Sequence, residues 1–182
     1  MNLVLNIIYY LGSMNGKPWM ELIQAVNALF NKIQSDGWLS QIIKCTIINY
    51  NDSARTIFQE QYVSSNLIDK ITFNGGNTCF KTVLRSAINL IDNTHDNYDN
   101  IRLVLMSDGF ANYPKEEIDI LNSKNYKNKM NLQTILFGTH ADGKKALRSI
   151  AKDLGGKYSN AVTLEDLAKN FIEVINIKFN IF

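Results

Sequence analysis

With 182 residues and 46% hydrophobic side chains, the chain has the size and apolar content of one domain with a full core, so a single domain over 1–182 is expected. Its 19 basic and 17 acidic residues leave a formal net charge of only +2, which offers no bulk attraction to nucleic acid or an anionic membrane. Partners must therefore be argued from sites. Cys45, inside the run 42–48, and Cys79 read as two separate thiols rather than a disulfide framework, which favours a reducing compartment. The chain starts directly on an apolar run without a basic leader, and no run approaches the roughly 18 apolar residues of a membrane span. A soluble, cytoplasmic protein is the expectation.

In chain order, residues 3–9 are almost continuously apolar, as in a strand buried on both faces of a parallel sheet. Asn6 interrupts that run and is expected to find a hydrogen-bond partner within the fold. Pro18 suits the first turn of a helix, and Leu22, Ile23, Val26, Leu29, Phe30 and Ile33 recur at helical spacing as far as Asp36-Gly37. A second strand is expected at 42–49. The turn cluster Asn51-Asp52-Ser53 then joins it to an antiparallel third strand at 54–63. A helix over 78–91 turns Val83, Leu84, Ala87, Ile88 and Ile91 inward, and a polar loop follows at 92–100. Further on come a buried strand at 101–106, a helix at 114–123, a strand at 132–137, a helix at 142–154 ended by Gly155-Gly156, and an amphipathic helix at 163–178. This alternation predicts a doubly wound, Rossmann-like α/β fold. Its mostly parallel six-stranded sheet carries one antiparallel edge strand, with helices on both faces.

Three short loops carry the functional signal: 9–14, Gly75-Gly76-Asn77-Thr78 and Ser107-Asp108-Gly109. Open α/β sheets gather ligands at the carboxyl ends of their strands, where the first and third of these loops fall. Ser13, Thr78 and Asp108 are hard oxygen donors of the kind magnesium or manganese prefers. Each also has a plain structural role open to it. Ser13 can tighten a turn, Thr78 can cap the helix after it, and Asp108 can form a turn before Gly109. His95 and His140 read as surface histidines, and the lysines at 124–129 and 144–145 as solvated faces or favourable dipole placement near helix ends. No phosphate-binding glycine pattern, no Ser-His-Asp or Cys-His pairing, and no paired carboxylates at the top of the sheet are legible.

The order of elements and these loops resemble the von Willebrand factor A domain family, and within it the intracellular, tellurite-resistance TerY-like branch. The family's first strand ends in Asp-x-Ser-x-Ser. A second loop supplies Thr after glycines and a third supplies Asp, and together they form a metal-ion-dependent adhesion site. Here Gly12-Ser13-Met14 matches the end of the first motif, Gly75-Gly76-Asn77-Thr78 the second and Ser107-Asp108-Gly109 the third. Tyr9 stands where the family has its first Asp, and Leu11 where it has its first Ser.

The resemblance implies a non-catalytic module that binds a protein partner through the strand-end face. The two departures degrade its ion site. Magnesium dehydrates reluctantly and needs anionic oxygens, Tyr9 is neutral at neutral pH, and Leu11 has no donor. No cofactor is therefore expected, and magnesium or manganese would bind weakly at Ser13, Thr78 and Asp108. Binding would rest on the surface formed by Tyr9, Leu11, Ser13, Met14, Asn77, Thr78, Asp108 and Phe110. Tyr9 is expected to turn its ring toward the degraded ion position. One alternative keeps the ion, completed by an acidic residue of the partner. Another is a phosphoryl-transfer enzyme with Asp108 as acceptor, which lacks the acidic pair it would need. Self-association through the exposed sheet edge is left open.

Overall fold

The computed structural model describes residues 3–10, 14–73, 75–109 and 111–175, with side chains from Met14 onward. Four strands form the middle of the sheet: β1 (Leu3–Tyr10), β2 (Ile43–Tyr50), β4 (Asn100–Ser107) and β5 (Met130–Phe137). They are parallel to one another, and β2, β4 and β5 are buried along nearly their whole length. Helices cover both faces, so neither side of these strands meets water and no polar alternation is needed. β3 (Ala54–Tyr62) pairs antiparallel with β2 at one edge, and β6 (Lys157–Ala161) pairs parallel with β5 at the other. The strand order is β3-β2-β1-β4-β5-β6.

The helices are α1 (Lys17–Ser35), the short α2 (Leu39–Ile42), α3 (Phe80–Thr94), α4 (Lys115–Ser123), α5 (Ala141–Asp153) and α6 (Leu164–Ile175). On one face Leu22, Val26, Leu29 and Phe30 of α1 pack with Leu167, Phe171 and Val174 of α6 over Ile47, Val104, Met106 and Ile135. On the other, Val83, Leu84 and Ile88 of α3, Ile118 and Leu121 of α4, and Leu147 and Ile150 of α5 cover Ile48, Leu103 and Leu105. The expected inward positions of the second helix, Val83, Leu84, Ala87, Ile88 and Ile91, are all buried. No helix among the described residues is long and apolar enough to cross a membrane.

Several boundaries differ from the sequence reading. The helix expected from Thr78 starts at Phe80 behind Cys79, and Thr78 does not cap it. That helix also runs on through Asp92, Asn93 and Thr94 instead of opening into a polar loop, because Thr94 is buried and its hydroxyl donates to the Leu90 carbonyl at 3.0 Å. β6 was not placed from the sequence. Its residues Lys157-Tyr158-Ser159-Asn160 are polar, and what makes them a strand is pairing with β5 rather than any apolar run. The last helix is described only to Ile175.

His95 is not a surface histidine. Its ring is largely buried, with Nδ1 3.2 Å from the Ile91 and Asp92 carbonyl oxygens and the ring centroid 4.9 Å from that of Tyr126. The lysines after α4 are likewise engaged: Lys124 Nζ meets Asp92 at 2.6 Å and Lys129 Nζ donates to the His95 carbonyl at 2.6 Å. They supply positive charge at the carbonyl end of α3, where the helix dipole favours it. Both cysteines are free, and burial pushes the Cys45 thiol up from its ordinary value. Asn6 lies in β1, but its side chain is outside the described part.

α5 ends in a Schellman turn. Gly155 has φ +67°, the Gly156 N–H donates to the Ala151 carbonyl at 2.7 Å, and the Gly155 N–H donates to that of Lys152 at 3.2 Å. A Cβ on Gly156 would stand 2.5 Å from the Leu132 carbonyl oxygen, so the close approach that starts β6 requires glycine. Gly156→Ala is expected to cost about 1–3 kcal/mol by forcing β6 away from β5, measured as a lower urea midpoint at unchanged slope.

Candidate functional site

β1 leads on to β2 at one side, while β4 leads through β5 to β6 at the other. The winding therefore reverses between β1 and β4, which pair in register from Leu3↔Asn100 to Tyr9↔Met106. A doubly wound sheet opens its ligand crevice at such a reversal, outside the carboxyl ends of the two strands. β1 and β4 both end at this point, and the segments that follow them in sequence carry Ser13 and Asp108.

The second loop is brought to the same edge by the β2–β3 turn. Asn51 Oδ1 accepts from the Ser53 N–H at 2.9 Å and closes that turn. Its Nδ2 donates to the Gly75 carbonyl at 2.9 Å. The Asn77 N–H donates to Asp52 Oδ2 at 3.4 Å, and Asn49 Nδ2 to the Thr72 carbonyl at 3.4 Å. Gly76 has φ +153° and lies so close to Asn51 that a Cβ would fall 2.8 Å from Asn51 Cβ, so only glycine fits.

The third loop is held by its own turn and by α5. Ser107 Oγ accepts from the Gly109 N–H and donates to the Gly109 carbonyl, both at 3.2 Å. A Cβ on Gly143, in the first turn of α5, would stand 2.5 Å from the Gly109 carbonyl oxygen, which fixes how closely that helix seats on the loop. Thr78 Oγ1 lies 3.7 Å from where a Cβ of Gly109 would be, so the second and third loops meet. The Tyr50 hydroxyl donates to the Met106 carbonyl at 3.2 Å from β2, across the end of β1.

Thr78 and Asp108 are half-buried and Asn77 is exposed at this edge. Met14, expected on the binding surface, is fully buried in the core among α1 and the sheet, so it anchors the first loop and is unavailable to a partner. Leu11, Ser13 and Phe110 lie outside the described residues, and Tyr9 is described as backbone only, opposite Asn49 and Met106.

Asp108 lines a 420 Å³ cleft together with Pro18, Glu21, Phe137, Thr139, His140 and Val162. Glu21, one turn into α1 and 3.5 Å from Lys17 Nζ, puts a second carboxylate on this cleft. The sequence reading saw no such pair. The signal for it is indirect, because Glu21 sits among the apolar repeats of α1 and reads as an outward helix position. His140 Nδ1 accepts from the Gly143 N–H at 3.4 Å and caps α5. Next to Pro18 in the first turn of α1, Trp19 meets Phe73 edge-on with centroids 5.8 Å apart. Among the described residues no group of three or more His, Cys, Asp or Glu side chains is placed to hold a metal ion.

A doubly wound sheet whose second and third loops meet at the carboxyl edge beside its reversal point defines a Rossmann-like binding domain. The von Willebrand factor type A domain model matches residues 12–174, a stretch that includes Ser13, Thr78 and Asp108, and the chain belongs to that family, whose domains are generally adhesion and protein-interaction modules. Solved structures share the fold at low identity. A von Willebrand factor type A protein from Catenulispora acidiphila is 18% identical with a TM-score of 0.71, over 94% of this chain and 41% of that one. The PilB minor pilin from Streptococcus sanguinis is 13% identical with a TM-score of 0.75, over 96% and 60%. Proximal thread matrix protein 1 from the mussel byssus, with a zinc-occupied adhesion motif, is 19% identical with a TM-score of 0.72, over 96% and 45%. The chain thus spans from two fifths to three fifths of the length of these proteins. No curated protein matches it.

Asn51 is the staple between the β2–β3 turn and the second loop. Asn51→Ala is expected to lower stability by about 1 kcal/mol. It should also speed amide exchange at Gly76, Asn77 and Thr78 relative to the sheet, as read by hydrogen exchange.

Proposed function

We propose that this domain is a non-catalytic protein-interaction module that binds its partner through the strand-end face without a metal ion. The observation that supports this best is where apolar surface is left exposed. Val162, 55% exposed, lines the Asp108 cleft, and Met20 and Phe73, 56% and 36% exposed, lie on the first turn of α1 and just before the second loop. Exposed apolar and aromatic groups around a cleft with a few polar groups make the usual centre of a protein interface. Tyr9, Leu11, Ser13, Asn77, Thr78, Asp108 and Phe110 complete the proposed surface; Met14 is withdrawn from it.

The metal-free reading follows from the donor set. Tyr9 and Leu11 replace an anionic and a hydroxyl donor of the family motif, and the remaining Ser13, Thr78 and Asp108 bring one negative charge. One carboxylate does little to offset the dehydration of magnesium. Where an ion did bind, Ser13, Thr78 and Asp108 would hold it and it would present an open position to a partner's carboxylate. The Glu21 carboxylate on the Asp108 cleft favours this second, metal-dependent reading, and the zinc-occupied motif of the mussel protein is its precedent. Phosphoryl transfer to Asp108 stays the least supported reading. A cytoplasmic setting and the TerY-like branch are the finer terms of the proposal, carried by the sequence resemblance.

Affinity capture with the domain as bait, read by quantitative mass spectrometry, separates the two readings. The metal-free module is expected to retain its partner in excess chelator, to lose about tenfold or more in affinity on Tyr9→Ala, and to lose less than about threefold on Asp108→Ala. Release by chelator, or the reverse order of the two variants, would support the metal-dependent reading.

A further inference from the structure

Arg102 lies at the opposite edge of the sheet, near the start of β4, and is only 4% exposed. Alternation along β4 puts it on the same face as Val104 and Met106, the face that α1 and α6 cover. Its Nε and Nη1 atoms are buried, and no hydrogen-bond acceptor among the described residues meets them. The contrast with the other well-buried charge is direct. Glu117, 1% exposed, has its carboxylate 2.6 Å from Arg85 Nε, whereas Arg102 has no carboxylate at ion-pair distance among the described residues.

A guanidinium stays protonated at neutral pH, so Arg102 is a buried cation with unused donors. Burial lowers its pKa from the ordinary value, the direction expected of a charge taken out of water without a counter-charge. Such an arrangement is costly, and a hydrophobic side chain of similar volume would commonly be more stable there.

The side chain lines a cavity of 280 Å³ whose wall also includes Asn131, Gln133, Gly156, Lys157 and Val174. Asn131 is exposed at its mouth and pairs in register with Arg102. Gln133 is already engaged, donating from Nε2 to Ser159 Oγ at 2.9 Å. Lys157 is 60% exposed at the rim and is neutralised by Glu173, 2.6 Å from its Nζ. The uncompensated charge facing the cavity is therefore that of Arg102. Its volume suits a few heavy atoms together with water, taking about 30 Å³ for each water.

We propose that this cavity is a binding site for a small oxoanion, a carboxylate or a phosphate group, with the Arg102 guanidinium as its charge donor and the Asn131 side-chain amide as a hydrogen-bond donor at the mouth. The site is separate from the strand-end face and does not depend on how that face is used. Guanidinium donors match planar or tetrahedral oxoanions, and the low-polarity wall formed by Val174 and the sheet strengthens the charge-assisted bonds.

The test is thermal unfolding and calorimetric titration with inorganic phosphate and with malonate, each against chloride at the same ionic strength. The site predicts a saturable rise in melting temperature with at least one of the two probes. It also predicts a loss of about tenfold or more in affinity on Arg102→Met, which should itself melt no lower than the parent without anion. A response to phosphate alone would assign the phosphate class, and to malonate alone the carboxylate class. Should Arg102→Met fail to fold, Arg102→Lys removes the fork while keeping the charge and should still weaken binding severalfold. In the unmodified protein the Arg102 Nε–H resonance should shift along the same saturation curve. No response beyond chloride, or an equal response in the Arg102 variants, would overturn the proposal.

Discussion

The parallel pairing of β1 with β4 is the constraint on which the rest of this structure depends. These strands belong to opposite windings of the sheet, yet they lie side by side from Leu3↔Asn100 to Tyr9↔Met106. Their helices must therefore leave toward opposite faces: α1 packs with α6 on one side, and the segment after β4 enters α4 on the other. A crevice opens where the two directions part. Everything placed at the candidate site, from the Ser107–Gly109 turn to the α1 residues Pro18 and Glu21, is there because of that divergence.

Positioning at the crevice is done by close backbone approaches more than by long side chains. Gly76 against Asn51 and Gly143 against the Gly109 carbonyl each exclude a Cβ, which seats the second and third loops on neighbouring elements. Such loops are well placed to hold a fixed constellation of small polar groups. With one carboxylate in the family motif positions, however, the constellation has weak chemistry for an ion, and exposed apolar surface such as the cleft-lining Val162 carries more of the binding argument. Family membership supplies the general role of an interaction module, and fold alone does not choose the partner.

Most of the fold was legible because its core strands and helices follow simple periodicities. The apolar-rich runs of β1, β2, β4 and β5 and the spaced stripes of α1 and α3 carry most of the pattern of elements. What the sequence hid depends on tertiary context. β6 is polar and exists through its pairing with β5, and His95 is buried because α3 continues past Ile91 and Tyr126 folds onto it. At the site, the glycines and Asp108 announced the loops. The burial of Met14, the arrival of Glu21 at the Asp108 cleft and the Trp19–Phe73 contact depend on how α1 sits on the sheet, which periodicity does not specify.

The central claim is that the strand-end face recognises a protein without a divalent ion, since Tyr9 and Leu11 stand where the family motif has an acidic and a hydroxyl donor. Direct calorimetric titration of the domain with magnesium and with manganese addresses this most simply, because it needs no partner. No saturable binding is expected up to millimolar concentrations of either ion. Micromolar affinity that disappears on Asp108→Ala would contradict it.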